Sequence, residues 1–102
     1  MSDKFVTPCP LPTDYEREVL TILIEECAEV QQRATKLLRF GRDEIQPGQE
    51  LSNAERLSHE LGDLKAIVQL ASEAGLIFGR LIEEAAKRKR AKLFKYMQTE
   101  AP

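Results

Sequence analysis

The chain has no tryptophan, and only 6% of its residues are aromatic. Its core must therefore be mostly aliphatic. Cysteine occurs twice, at Cys9 and Cys27, which makes no disulfide framework. Cys27 falls in an apolar helical stretch and is expected to be a small core residue. One histidine and no cysteine cluster argue against zinc. No apolar run approaches the ~20 residues that span a bilayer, so no membrane partner is expected. No basic segment followed by an apolar stretch opens the chain, so no signal peptide is read and the cytoplasm is the expected location. An excess of basic charge is missing too: 15 basic and 17 acidic residues give a net charge of −2. With so few aromatics, that balance argues against nucleic acid as a partner. No segment alternates as a half-buried strand does.

What remains is helix. The 102 residues suit one domain. Residues 1–12 hold Pro8, Pro10 and Pro12 and read as an extended arm. Residues 13–102 read as one helical domain. Thr13-x-x-Glu16 is a capping box that opens a first helix. Its apolar set is Val19, Leu20, Leu23, Cys27, Val30, Ala34, Leu37 and Leu38, and Gly41 offers a stop. A loop holding Pro47 and Gly48 follows. Ser52-x-x-Glu55 opens a second helix with a stripe of Leu57, Leu61, Leu64, Val68 and Ala71, ended at Gly75. A third helix begins between Ile77 and Arg80 and runs to about Gln98. The expected fold is all-α, long antiparallel helices in a bundle. Rods this long form a slab, so association with a second copy is expected to complete it.

The acids are not scattered. Helix 1 carries Glu25, Glu26 and Glu29, and helix 2 carries Glu60 and Asp63. At about 100° per residue, each set edges its apolar stripe, and Glu26 lies nearest to it. If the helices pack antiparallel, five carboxylates converge on one groove and need a cation between them. Oxygen donors suit a hard divalent ion, with Mg²⁺ foremost. Glutamates on helices are also ordinary solvated faces; the joint pattern on two successive helices favours the metal.

On helix 3 the stripe is Phe78, Leu81, Ile82, Ala85, Leu93 and Tyr96. Lys89 and Lys92 fall on the same side and are expected to point inward. Their anionic partner is either a carboxylate of the cluster or a substrate phosphate. Lys87, Arg88, Arg90 and Lys95 read as a solvated face. His59 reads as a surface histidine. Phe40 is either a closure of the helix end or a plate on which a base stacks. Asn53 belongs to a helix N-terminus, or its amide reads a base edge.

Glu25-Glu26-Cys27-Ala28-Glu29, followed by Glu60-Leu61-Gly62-Asp63, resembles the EExxE and ExxD pair of the MazG-like all-α nucleoside triphosphate pyrophosphohydrolases. That superfamily also holds dimeric dUTPases and phosphoribosyl-ATP pyrophosphohydrolase. Leu38-Arg39-Phe40-Gly41, Ser52-Asn53 and the run Lys89 to Tyr96 agree with it, and the likeness covers residues 14–98. The resemblance implies hydrolysis of a nucleoside or deoxynucleoside triphosphate to the monophosphate and pyrophosphate, with Mg²⁺ or Mn²⁺. It implies Glu26, Glu29, Glu60 and Asp63 as metal ligands, and Glu25 as holder of a further metal or of the attacking water. Lys89 and Lys92 match phosphate-contacting positions. A homodimer or homotetramer is implied. The 30 residues between Glu29 and Glu60 lie towards the long side for that family. Two other readings are phosphoribosyl-ATP pyrophosphohydrolase and a helical protein-interaction module without catalysis.

Overall fold

The computed structural model describes residues 9–102; residues 1–8 of the expected arm lie outside the described part. Three helices make an all-α fold: α1 (Asp14–Phe40), α2 (Asn53–Glu73) and α3 (Gly79–Tyr96). Both capping boxes form. The Thr13 hydroxyl accepts from the Glu16 amide at 3.2 Å, and Glu16 Oε1 accepts from the Thr13 amide at 2.8 Å. Ser52 and Glu55 repeat this at 3.2 and 2.9 Å. Each box satisfies two otherwise orphaned donors, which sets where the helix starts. Gly41, at φ 90°, ends α1 and donates its amide to the Leu37 carbonyl. Gly75, at φ 77°, turns the chain after α2. Both positions suit glycine, which carries no Cβ penalty there. α3 has no side-chain cap at its start.

Val19, early in α1, shares a buried core with Ile67 and Ala71, late in α2. The end of α1 meets the start of α2, because Asn53 bonds to the Gly41 carbonyl. The two helices are therefore antiparallel. The buried and half-buried residues of α1 include Val19, Leu23, Glu26, Val30, Arg33 and Leu37. Those of α2 include Asn53, Leu57, Glu60, Leu64, Ile67 and Ala71. Each set is spaced by alternating steps of four and three, the seam of a helix that packs along one partner. Three polar or charged side chains interrupt these apolar seams at Glu26, Arg33 and Glu60, and Asn53 stands at the end of one.

The sequence groups the apolar residues of α1 into one stripe, and the structure divides them. A second row, Leu20, Ile24, Cys27, Ala34 and Leu38, lies one residue round from the seam. Ile24 is 69% and Leu38 84% exposed. Cys27 is exposed as well, contrary to the expected core position. The reason is steric: one partner helix covers one seam, and α2 takes the other. Leu61 is exposed for the same reason on α2.

α3 also departs from expectation. None of its residues is buried, so Lys89 and Lys92 do not point inward; they are exposed. Only its first turns approach α2, where a Cβ on Gly79 would stand 3.2 Å from Ser72 Oγ. Beyond that, α3 lies on nothing among the described residues. The radius of gyration is 18.8 Å, against about 13 Å for a compact domain of this length. No helix among the described residues is long and apolar enough to cross a membrane.

Candidate metal centre

The antiparallel register sets Glu26, midway along α1, opposite the first half of α2. Glu60 and Asp63 stand one turn apart there. One carboxylate oxygen from each of the three lies within 4.8 Å of the others. Glu26 and Glu60 are half-buried, and Asp63 is exposed. None of the three forms an ion pair among the described residues, where the only pairs are Arg42–Asp43 and Arg80–Glu84. Glu26 Oε2 is buried without a hydrogen-bond partner.

These surroundings raise the pKa of Glu26 above its ordinary value. Desolvation contributes most, followed by the charges of Asp63 and Glu60, a hydrogen bond with Glu60, and the charge of Glu29. A proton on Glu26 relieves the repulsion, and so would a cation.

Of the five acids expected to converge, the structure brings three together. Glu29, one turn further along α1, is exposed but close enough to act on Glu26. Glu25 is exposed and does not join the group. Glu29 and Glu60 also border an open cavity of about 220 Å³ with Arg33, Arg56, His59 and the loop residues Gln49 and Leu51. His59 is exposed at its rim. Sequence reasoning missed Arg33. The signal was the seam spacing, which places Arg33 seven residues after Glu26 at an otherwise apolar position.

Asn53 is 1% exposed. Its Nδ2 donates to the Gly41 carbonyl at 2.8 Å and to Glu44 Oε1 at 3.1 Å. Its amide therefore pins the loop to α2 and offers no edge to a base. Two backbone bonds strengthen that hold, Asn53 N to Glu44 O and Ala54 N to Arg42 O. Asn53→Ala should leave the Gly41 carbonyl and the charged Glu44 carboxylate without this donor and cost about 1–3 kcal/mol. A fall in Tm of at least about 4 °C is expected, readable by thermal denaturation. Phe40 is partly exposed and carries Lys36 Nζ 5.6 Å and Arg39 Cζ 4.9 Å from its ring centre. It stands fourteen residues from Glu26, about 21 Å along the helix, and so lies apart from the triad.

No family model matches the chain, and neither a curated protein nor a solved structure matches it.

Proposed function

We propose that the chain hydrolyses a nucleoside or deoxynucleoside triphosphate to the monophosphate and pyrophosphate, with Mg²⁺ held by Glu26, Glu60 and Asp63. One observation carries this reading. Three carboxylates from two helices converge with no ion pair to a basic side chain among the described residues, and one keeps a buried oxygen with no partner. The donor set fits the ion. All donors are carboxylate oxygens within 4.8 Å of one another, the donor type that a hard divalent ion such as magnesium would take. The MazG-like resemblance supports the same reaction; Mn²⁺ suits the same donors.

A bound divalent ion would neutralise phosphate charge and acidify a water. The chain's own part is to fix positions, because two packed helices hold the acids before any ligand arrives. The water oxygen bonds to one of the two phosphorus atoms flanking the α–β bridge and the bridging P–O bond breaks, which separates monophosphate from pyrophosphate. Glu25, exposed one residue before Glu26, is placed in this reading to take the proton from the water.

The reading includes a second copy of the chain. The accessible surface is 8729 Å², against about 5,800 Å² for a compact monomer of this mass. The difference is of the size that obligate interfaces cover. Lys89 and Lys92, remote from burial here, keep a phosphate-contacting role through that assembly. The exposed α3 equally suits the interaction-module reading, but that reading leaves three converging acids without a cause.

The test is thermal stability with Mg²⁺ and with EDTA. An ion that binds only the folded state at 100 times its Kd adds about 2.7 kcal/mol, so a rise of about 10 °C or more is expected. An unchanged Tm at millimolar Mg²⁺ would refute the metal centre.

A further inference from the structure

Arg33 is the one cation that interrupts the apolar seam of α1. It is 8% exposed. Its Nη1 is buried with no hydrogen-bond partner, and it forms no ion pair among the described residues. A buried guanidinium without an anion is costly, and removing such a charge commonly stabilises a protein. The Arg33 side chain borders the 220 Å³ cavity together with Arg56 and with the triad ligand Glu60. Arg56 is half-buried, and its Nη1 donates to Gln46 Oε1 at 3.3 Å, which ties it to the loop. The cavity is smaller than the roughly 300 Å³ at which sites for whole small molecules begin. It has room for one compact group.

We propose that this cavity is an oxyanion subsite in which Arg33 and Arg56 receive a phosphate group of the nucleotide, beside the metal centre. The proposal rests on the reading of Glu26, Glu60 and Asp63 as metal ligands. Two features fit the chemistry. The guanidinium fork matches phosphate oxygens with paired donors. The carboxylates of Glu29 and Glu60 also border the cavity, so an anion is repelled until a cation neutralises them. The subsite therefore fills only with metal present.

The probe is inorganic pyrophosphate, titrated calorimetrically into the full chain with Mg²⁺ and with EDTA. Wild-type protein should bind pyrophosphate with Mg²⁺ and not with EDTA. Arg33→Met keeps the length and removes the charge. It should keep the Mg²⁺-induced rise in Tm, weaken pyrophosphate at least tenfold, and melt higher than wild type without metal. Arg33→Lys should recover part of the affinity. Arg56→Met reports on the same subsite from α2 and should also weaken pyrophosphate, a check should Arg33→Met fail to fold.

Two results would overturn the inference while the metal centre stands. One is unchanged pyrophosphate affinity in Arg33→Met and Arg56→Met with the Mg²⁺ response intact. The other is a lower Tm of metal-free Arg33→Met, which would mark Arg33 as a structural residue. Loss of the Mg²⁺ response in wild type would remove the metal reading and the subsite with it.

Discussion

Glu26→Gln should lower Mg²⁺-dependent pyrophosphate release by more than about 100-fold, beyond the roughly 10–100-fold that loss of an outer partner of a metal ligand costs. The same variant should melt at a higher temperature than wild type in EDTA. Both effects come from one position. Glu26 sits in the seam between α1 and α2, with Glu60 and Asp63 close by and its Oε2 buried without a partner. Its folded-state pKa is raised, first by desolvation and then by Asp63 and Glu60. The sign follows from linkage. A carboxyl with a raised folded pKa contributes stability that is present below the unfolded pKa and lost as pH rises through the folded pKa. At neutral pH the ionised Glu26 thus destabilises the metal-free protein, and glutamine removes that charge. In wild type, Mg²⁺ and protons compete for this carboxylate, so Mg²⁺ affinity should rise with pH across the same window. Glu26→Gln should flatten that dependence. A variant with full turnover, or one less stable than wild type in EDTA, would contradict this account.

Ile24→Glu combined with Leu38→Glu should convert an oligomer into monomers without melting the α1–α2 pair. Ile24 and Leu38 lie in the second row of α1, turned away from α2 and largely exposed. Among the described residues, no other helix packs along that row. The α1–α2 seam already has its partner, and its buried residues Val19, Ile67 and Ala71 are untouched. Two charges in a covered apolar row meet the full desolvation cost, whereas on an open surface they cost little. Light scattering on a sizing column reads the mass, and circular dichroism reads the helices. A wild-type monomer would refute the second copy. A variant that keeps the oligomer would move the interface elsewhere, with the stripe on α3 as the next surface to test.

The parts of this fold legible in the sequence are those set by local chemistry. Thr13 with Glu16 and Ser52 with Glu55 fix the helix starts, because a capping box needs only four residues. Gly41 and Gly75 mark the turns for the same reason. Partner choice was not legible. Periodicity shows that Leu20, Cys27 and Leu38 are apolar and on one side, but it cannot say that α2 takes the neighbouring row. Lys89 and Lys92 share a face with Leu81 and Leu93, yet that face is exposed among the described residues.

The acidic site divides along the same line. That Glu26, Glu60 and Asp63 face one another depends on register, which Val19 against Ile67 and Ala71 sets from outside the motif. Glu25 and Glu29 have the same residue type and nearly the same position, and the structure leaves them outside the triad. Arg33 escaped notice because an arginine in a helix is ordinarily a surface residue. Only the four-and-three spacing from Val19 through Glu26 shows that it stands where an apolar side chain is expected. Asn53 was read for its amide, and the loop uses that amide at Gly41 and Glu44.

The most direct test of the central claim is pyrophosphate release from a panel of nucleoside and deoxynucleoside triphosphates, with Mg²⁺ and with EDTA. The account predicts release with Mg²⁺ on at least one substrate, matched by equal monophosphate, and none with EDTA. Silence across the whole panel in folded protein, or release that EDTA does not stop, would contradict it.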